Sequence, residues 1–258
     1  MHPARIAELL QPFLADDRVT PALSEAQGLT TDDLHDISTY IDLLLRWNAR
    51  INLTAIRDPE AIVTRHFGES FFAARHLFPG GRVALQSLPR ACRGGRVSDV
   101  ILPGALAPEG AAQDLRPNTH ARPSVADLGS GAGFPGLPIK LWAPAILLTL
   151  IESNHKKVAF LREITRALRL TDVNILAARA ETLPASSFHL VTLRAVERFA
   201  AILPAAADLV APEGRLALLI GAAQFDEARS SLRRFSWHGP VPIPLSRSRI
   251  LAVAARVR

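Results

Sequence analysis

Residues 127–136, Asp-Leu-Gly-Ser-Gly-Ala-Gly-Phe-Pro-Gly, are the stretch of this chain best suited to chemistry. Glycines at this density allow positive φ and let a ligand lie against bare backbone. The run follows a short apolar stretch, Val125 to Leu128, that reads as a strand. It opens a helical pattern from Phe134 to Trp142, with Pro135 expected in the first helical turn. Such a turn lies at the carboxyl edge of a parallel sheet, where nucleotide-like ligands bind. Gly131, Gly133 and Gly136 have the spacing of a dinucleotide fingerprint, which contacts a pyrophosphate. Asp127 sits awkwardly beside a pyrophosphate, because the two repel, and it suits a cationic ligand instead. Glu152 closes a second apolar run, Ile146 to Ile151, and can accept hydrogen bonds from two ribose hydroxyls in either case. A purely structural turn is the remaining reading.

Asp-x-Gly-x-Gly-x-Gly is also the pattern of the Rossmann-like S-adenosylmethionine-dependent methyltransferases, whose donor carries an ammonium and a sulfonium. The type of methyl acceptor is narrowed by what the sequence lacks. No Asn-Pro-Pro-Tyr-like tetrapeptide is present for exocyclic amino groups. The one thiol, Cys92, lies in an irregular stretch, which argues against covalent attack on a pyrimidine. An acceptor with an available lone pair remains, and guanine N7 is such an atom. It carries no proton at neutral pH, so its methylation needs alignment rather than a general base.

The elements that must hold these residues alternate from position 125 onward. A helix from His155 to Leu168 separates the strand Ile146 to Ile151 from another at Asn174 to Ala177. Leu190 to Leu193 and Leu216 to Ile220 follow, with a helix from about Glu197 to Leu209 between them, and Ile250 to Val257 ends the chain as a strand. This alternation implies a mostly parallel sheet covered on both faces. Upstream, residues 1–78 read as a helical region. Thr31 is the expected cap of a helix bearing Leu34, Ile37, Ile41, Leu44 and Leu45, and Asp58-Pro59-Glu60 starts a second one. Residues 79–124 form an irregular insertion rich in Gly and Pro, with one short strand expected at Val97 to Leu102. Residues 125–258 form the third unit.

Composition excludes several classes. At 258 residues with 48% hydrophobic residues, the chain is long and apolar enough for one sizeable core. A lone cysteine cannot staple a secreted scaffold. Neither a membrane span nor a leader is visible, since the most apolar stretch is broken by Lys140 and Pro144. A soluble, cytoplasmic, monomeric protein without a metal is expected. The net charge of +6 is uneven: residues 1–78 carry more acids than bases, while 226–258 hold seven arginines against two acids. Arginines of this kind attract phosphate backbones or simply solvate a face, and charge alone leaves both open.

Several further runs keep company with the glycine-rich turn. They are Trp47-Asn48-x-x-Ile51-Asn52-Leu53-Thr54, Arg65-His66, Phe134-Pro135-Gly136-Leu137-Pro138, His155-Lys156-Lys157-Val158-x-Phe160-Leu161, Arg179-Ala180-Glu181 and Arg194-Ala195. Together they closely resemble the bacterial 16S ribosomal RNA guanine-N7 methyltransferases, also called the glucose-inhibited division protein B family. The resemblance covers roughly 31–78 and 125–255. It implies an α/β, Rossmann-like class I S-adenosylmethionine-dependent methyltransferase fold with a small N-terminal helical extension. The implied substrate is a guanine in a decoding-region loop of 16S rRNA, as RNA or within the small ribosomal subunit. It further implies that Asp127, Gly129, Gly131, Gly133, Phe134, Glu152, Ala180, Glu181 and Arg194 hold the cofactor. Arg194 would lie nearest the methyl group and serve the cofactor carboxylate or the RNA. Arg65 and His66 are RNA-contact candidates by the same resemblance, and Arg233, Arg234 and Arg249 by charge.

The chain departs from the family pattern in places. The insertion at 79–124 replaces a short connection, and Glu69 stands where Asp is usual. His189 and Leu193 replace an Asp and a Ser, and Ile220-Gly221 replaces a Lys-Gly pair. These changes bear on RNA contact more than on cofactor binding. They motivate one rival, an inactive homologue that still binds rRNA. A second rival, a nicotinamide-dependent oxidoreductase, lacks any Tyr-x-x-x-Lys pair.

Overall fold

Strands that are apolar on both sides need cover on both faces, and the sheet meets that need. The computed structural model describes residues 1–15, 29–79, 81, 122–194 and 199–257. Eight strands run in chain order as β1 Ser124–Leu128, β2 Leu147–Ile151, β3 Val173–Leu176, β4 Phe188–Arg194, β5 Val210–Gly221, β6 Phe235–Trp237, β7 Val241–Pro242 and β8 Arg249–Arg256. Their spatial order is β3-β2-β1-β4-β5-β8-β6, with β7 also on β8. The five strands β3 to β5 pair in parallel, whereas β8 is antiparallel to β5, β6 and β7. Winding runs outward from β1 to β3, then restarts at β4 on the other side. The carboxyl ends of β1 and β4 therefore flank the crevice where such sheets bind ligands.

Alternate residues of the strands feed two cores. On β5, Ala217 and Leu219 join one, and Leu216, Leu218 and Ile220 the other. The second core is closed by α7 Phe199–Leu209 and α8 Phe225–Ser231. The first is closed by α5 Gly136–Trp142 and α6 His155–Ala167 together with the N-terminal helices. Those are α1 Pro3–Leu14, α2 Thr31–Asn48, α3 Pro59–Ile62 and α4 Glu69–Leu77. A π-helical stretch, Val63–Gly68, links the last two. Ile6, Tyr40 and Phe67 thus share one continuous core with Leu148 and Phe160. The helical region is packed into the sheet's own core.

Local chemistry sets the boundaries. Thr30, one residue before the expected cap, caps α2: its hydroxyl accepts from the Asp33 N–H and the Asp33 carboxylate accepts from the Thr30 N–H. Pro135 precedes α5 as its cap residue, so the helix starts at Gly136 and not at Phe134. Lys140, which interrupts the apolar stretch in sequence, is buried. Its Nζ donates to the carbonyls of Pro144 and Ile146 at 2.6 and 2.7 Å, and burial lowers its pKa to about 8. The strands β6 and β7 and the helix α8 had no counterpart in the sequence reading. The expected strand at 97–102 lies outside the described residues.

Tyr40 of α2 ties the helical region to the glycine-rich turn. Its hydroxyl donates to the Ala132 carbonyl at 2.5 Å, in a fully buried site. Removing a donor leaves a buried acceptor unpaired, at a cost of about 1–3 kcal/mol. Tyr40→Phe should therefore lower unfolding free energy by about that amount in urea titrations, with an unchanged m value.

Candidate active site

The turn after β1 is shaped from both sides. Gly129, Gly131 and Gly133 have φ of 64°, 54° and 88°, so each takes a left-handed conformation that other residues resist. The N–H groups of Gly129 and Ser130 donate to the Ile151 carbonyl at 2.9 and 3.2 Å, binding the turn to the end of β2. Asp127 lies beneath it with no exposed surface. One carboxylate oxygen accepts from the Gly136 N–H at 3.2 Å, the other from the Thr192 hydroxyl of β4 at 2.8 Å. Burial raises its pKa to about 6. The structure thus places Asp127 as a brace under the turn and not as a group facing the crevice.

The glycine spacing that suggested a dinucleotide has a packing origin. A Cβ at 133 would collide with the Tyr40 hydroxyl, and one at 136 would come within 2.9 Å of the Asp127 carboxyl. A Cβ at 131 would meet nothing nearer than the Gly129 carbonyl at 3.6 Å, so the space beside the turn is open there. Glu152, immediately after β2, borders that space. Its two oxygens accept from the N–H groups of Gly131 and Asn154 at 2.9 and 2.8 Å. Each oxygen keeps a second lone pair, as a ribose diol requires. Ala180 and Glu181 begin a short 3-10 turn beyond β3, Ala180 buried and Glu181 exposed. They follow the end of β3, whose Leu176 carbonyl accepts from the Glu152 N–H. These residues fit an adenosine-bearing cofactor.

Phe134 differs from expectation. Its ring stacks with Tyr40, with centroids 5.2 Å apart, and with His66 at 4.8 Å. Phe67 meets it edge-on at 5.0 Å. The ring is buried among these aromatic neighbours and leaves little surface to the crevice.

At the end of β4, Arg194 enters a cluster that the sequence reading did not assemble. Its Nη2 donates to the Arg65 carbonyl at 2.6 Å, to His66 Nδ1 at 3.0 Å and to Glu69 at 3.2 Å. Glu69 is buried, and its carboxylate also lies 2.9 Å from Arg249 Nε and 3.7 Å from Arg65 Nε. Three guanidiniums thus surround one carboxylate. Burial lowers the pKa of Arg194 to about 10, and its Nε is buried with no hydrogen-bond partner among the described residues. Arginine has only donors, so His66 Nδ1 must accept and the ring proton sits on Nε2, 2.7 Å from the Thr54 hydroxyl. Asn48 places Thr54 in turn, accepting from the Leu53 and Thr54 N–H groups and donating to the Thr54 carbonyl. The run 47–54 therefore acts at the site by orienting His66.

The other candidates separate by position. Arg65 is exposed and joins the rim of the cluster, and Arg249 reaches it across the β5–β8 edge. Arg233 and Arg234 lie instead near the strand-start edge, beside the Arg256 end of β8. Of the departures at single positions, Glu69 sits within the cluster and Gly221 pairs with Arg249 beside it, while the others turn away from the crevice. Leu193 and Ile220 are buried in the second core, and His189 Nδ1 accepts from the Ser124 N–H at the opposite edge. Glu69 and Tyr40 were missed as site residues. The Glu69 signal was a carboxylate one helical turn after Arg65 in an apolar surround.

A doubly wound sheet with an antiparallel β8 between β5 and β6, and a carboxylate-bordered glycine turn at its switch point, defines a nucleotide-type transferase site of the methyltransferase kind. Residues 33–84 and 112–247 match the family described as rRNA small subunit methyltransferase G. The chain belongs to that family. A ribosomal RNA small subunit methyltransferase G of Roseiflexus sp. (strain RS-1) is 34% identical over 248 residues, covering 91% of this chain and 88% of that protein. One from Halorhodospira halophila is 35% identical over 188 residues, covering 73% and 69%. Among solved structures, a SAM dependent methyltransferase from Aquifex aeolicus is 16% identical with a TM-score of 0.45, covering 52% of this chain and 82% of that one. No described helix is long and apolar enough to cross a membrane.

Burial, reinforced by the charges of Arg194, Arg65 and Arg249, lowers the His66 pKa from 6.5 to about 3. The unfolded chain takes up this proton below about 6.5 and the folded one does not. Stability from this source is therefore intact above pH 6.5 and lost as pH falls toward 3, by up to about 1.4 kcal/mol per pH unit. Asp127, with a raised folded pKa, acts in the opposite sense between 3.8 and about 6. It is common to wild type and His66→Gln, so it cancels in their comparison. The stability advantage of wild type over His66→Gln should shrink steadily from pH 7 to pH 4 in urea unfolding; a constant advantage would refute the neutral His66.

Proposed function

We propose that this protein transfers a methyl group from S-adenosylmethionine to N7 of a guanine in the decoding region of small-subunit ribosomal RNA. The observation that carries this reading is a juxtaposition on one strand-end edge. The open glycine turn with Glu152 lies beside a cluster in which Arg65, Arg194 and Arg249 outnumber the one carboxylate, Glu69. The first suits a ribose-bearing cofactor, and the second attracts the phosphates of an RNA.

Held by Glu152 and the glycine turn, S-adenosylmethionine would supply an electrophilic methyl to the N7 lone pair, the carbon–sulfur pair leaving on sulfur with no proton moved. The side chains present match a reaction without a base. His66 is neutral, with both ring nitrogens engaged. Asp127 is sealed beneath the turn, and Glu69 is held among guanidiniums. What the protein contributes is alignment: Glu152 and the turn fix the donor, the arginines fix the acceptor strand, and the rigid seam holds the two together. Arg194 is the group best placed to register one against the other.

Labelled methyl from S-adenosylmethionine should appear in small-subunit RNA, and mass mapping should find it on guanine N7. Substitution Glu152→Ala should weaken S-adenosylhomocysteine binding about 10–100-fold in calorimetry, the loss of one or two charge-assisted hydrogen bonds. Binding of 16S rRNA without any methyl transfer would instead favour an inactive, RNA-binding homologue.

A further inference from the structure

The arginine-rich carboxyl-terminal segment is only partly used at the crevice. Arg249 joins Arg194 there, but Arg229, Arg233 and Arg234 do not. All three are exposed, on α8 or just after it, and no ion pair engages them among the described residues. They flank aromatic surface. A groove of about 510 Å³ is lined by Phe225, Arg229, Arg233, Phe235, Trp237 and His238. Phe225 and Trp237 meet edge to face at 5.5 Å, which fixes the indole. A second groove of about 360 Å³ continues past Arg233 and Arg234 to Arg256. Arg256 is anchored there by donating to the Val210 carbonyl and, at 3.0 Å, to Ser186 Oγ. The acids nearby are Asp208 in the second groove and Asp226 and Glu227 at the start of α8.

This surface is far from the glycine turn. Phe235 pairs with Arg256, whereas Arg249, seven residues earlier on β8, pairs with Gly221 at the crevice edge. Seven residues of strand span roughly 24 Å, and the four strand spacings from β1 to β6 add roughly 19 Å across the sheet. The groove is thus about 30 Å from the site of methyl transfer.

We propose that the groove is a second RNA-docking site, taking phosphodiesters on Arg229, Arg233 and Arg234 and an unpaired base against the Trp237 surface. The inference rests on the reading of the protein as an rRNA methyltransferase. Arginine beside aromatic rings is the chemistry of single-stranded RNA binding. RNA is favoured over an acidic protein because an RNA already held at the crevice is continuous and carries phosphate along its whole length. A short loop cannot reach both places. The substrate that uses both is a large RNA or a ribosomal particle.

The test compares full-length wild type with an Arg229→Ala, Arg233→Ala, Arg234→Ala triple variant, whose changes are confined to exposed side chains. Unchanged S-adenosylhomocysteine affinity verifies the fold. Protein-free 16S rRNA should bind the variant about 10–100-fold more weakly, and the slope of log affinity against log salt should drop by about 2–3, near one per lost phosphate contact. A minimal hairpin carrying only the target loop should bind both proteins alike. Equal affinity and slope for 16S rRNA would overturn the proposal, as would an equal loss on the hairpin. A loss confined to intact small subunits, absent with protein-free RNA, would assign the groove to a protein instead. Failure of wild type to methylate RNA while the variant still loses 16S rRNA affinity would sink the enzymatic reading and leave this surface standing.

Discussion

The glycine-rich turn keeps its shape because a fully buried carboxylate braces it from below. Burying Asp127 is costly unless its oxygens are paired, and both are, by the Gly136 N–H and the Thr192 hydroxyl. Those two bonds join β1, the start of α5 and β4 at a single point. They also dictate Gly136, since a side chain there would strike the carboxyl. From above, Tyr40 holds the Ala132 carbonyl and dictates Gly133 in the same way. Clamped on both sides, the turn presents open backbone at Gly129 and Gly131 to whatever binds beside Glu152.

The second organising feature is the charge balance around Glu69. One buried carboxylate facing three guanidiniums leaves an excess of positive charge at the crevice. Removing Glu69 would leave Arg194, itself almost entirely buried, without its ionic partner. Burial, with the same arginines adding to it, keeps His66 neutral, and the Arg194 donor makes its Nδ1 an acceptor. Because His66 also stacks on Phe134, the cluster and the turn are mechanically continuous. A site with this rigidity suits a reaction whose barrier is lowered by alignment.

Much of this was legible in the sequence. The turn, the strand–helix alternation and Glu152 were readable because their signals are local: glycine density, apolar period and chain order. The cluster was not, because Arg65, Glu69, Arg194 and Arg249 are brought together only by the packing of a π-helical stretch against two strand ends. The surroundings of Phe134 were hidden for a related reason: nothing in its neighbours announces that Tyr40 and His66 will stack on its ring. The strands β6 and β7, three and two residues long, carry too few alternations to show a period of two.

Charge shows the same division between local and assembled information. The first 78 residues are acidic by count, yet among the described residues that acidity is largely committed. Asp33 and Asp58 cap helices, Glu60 pairs with Arg5, and Glu69 is enclosed. Among the described residues, the basic tail is committed at Arg249, which binds the Leu219 carbonyl as well as lying against Glu69, and at Arg256. What an approaching polyanion meets is therefore decided by which charges remain unpaired. Among the described residues no ion pair engages the arginines of 229–234, and the net charge of the whole chain says little about where they act.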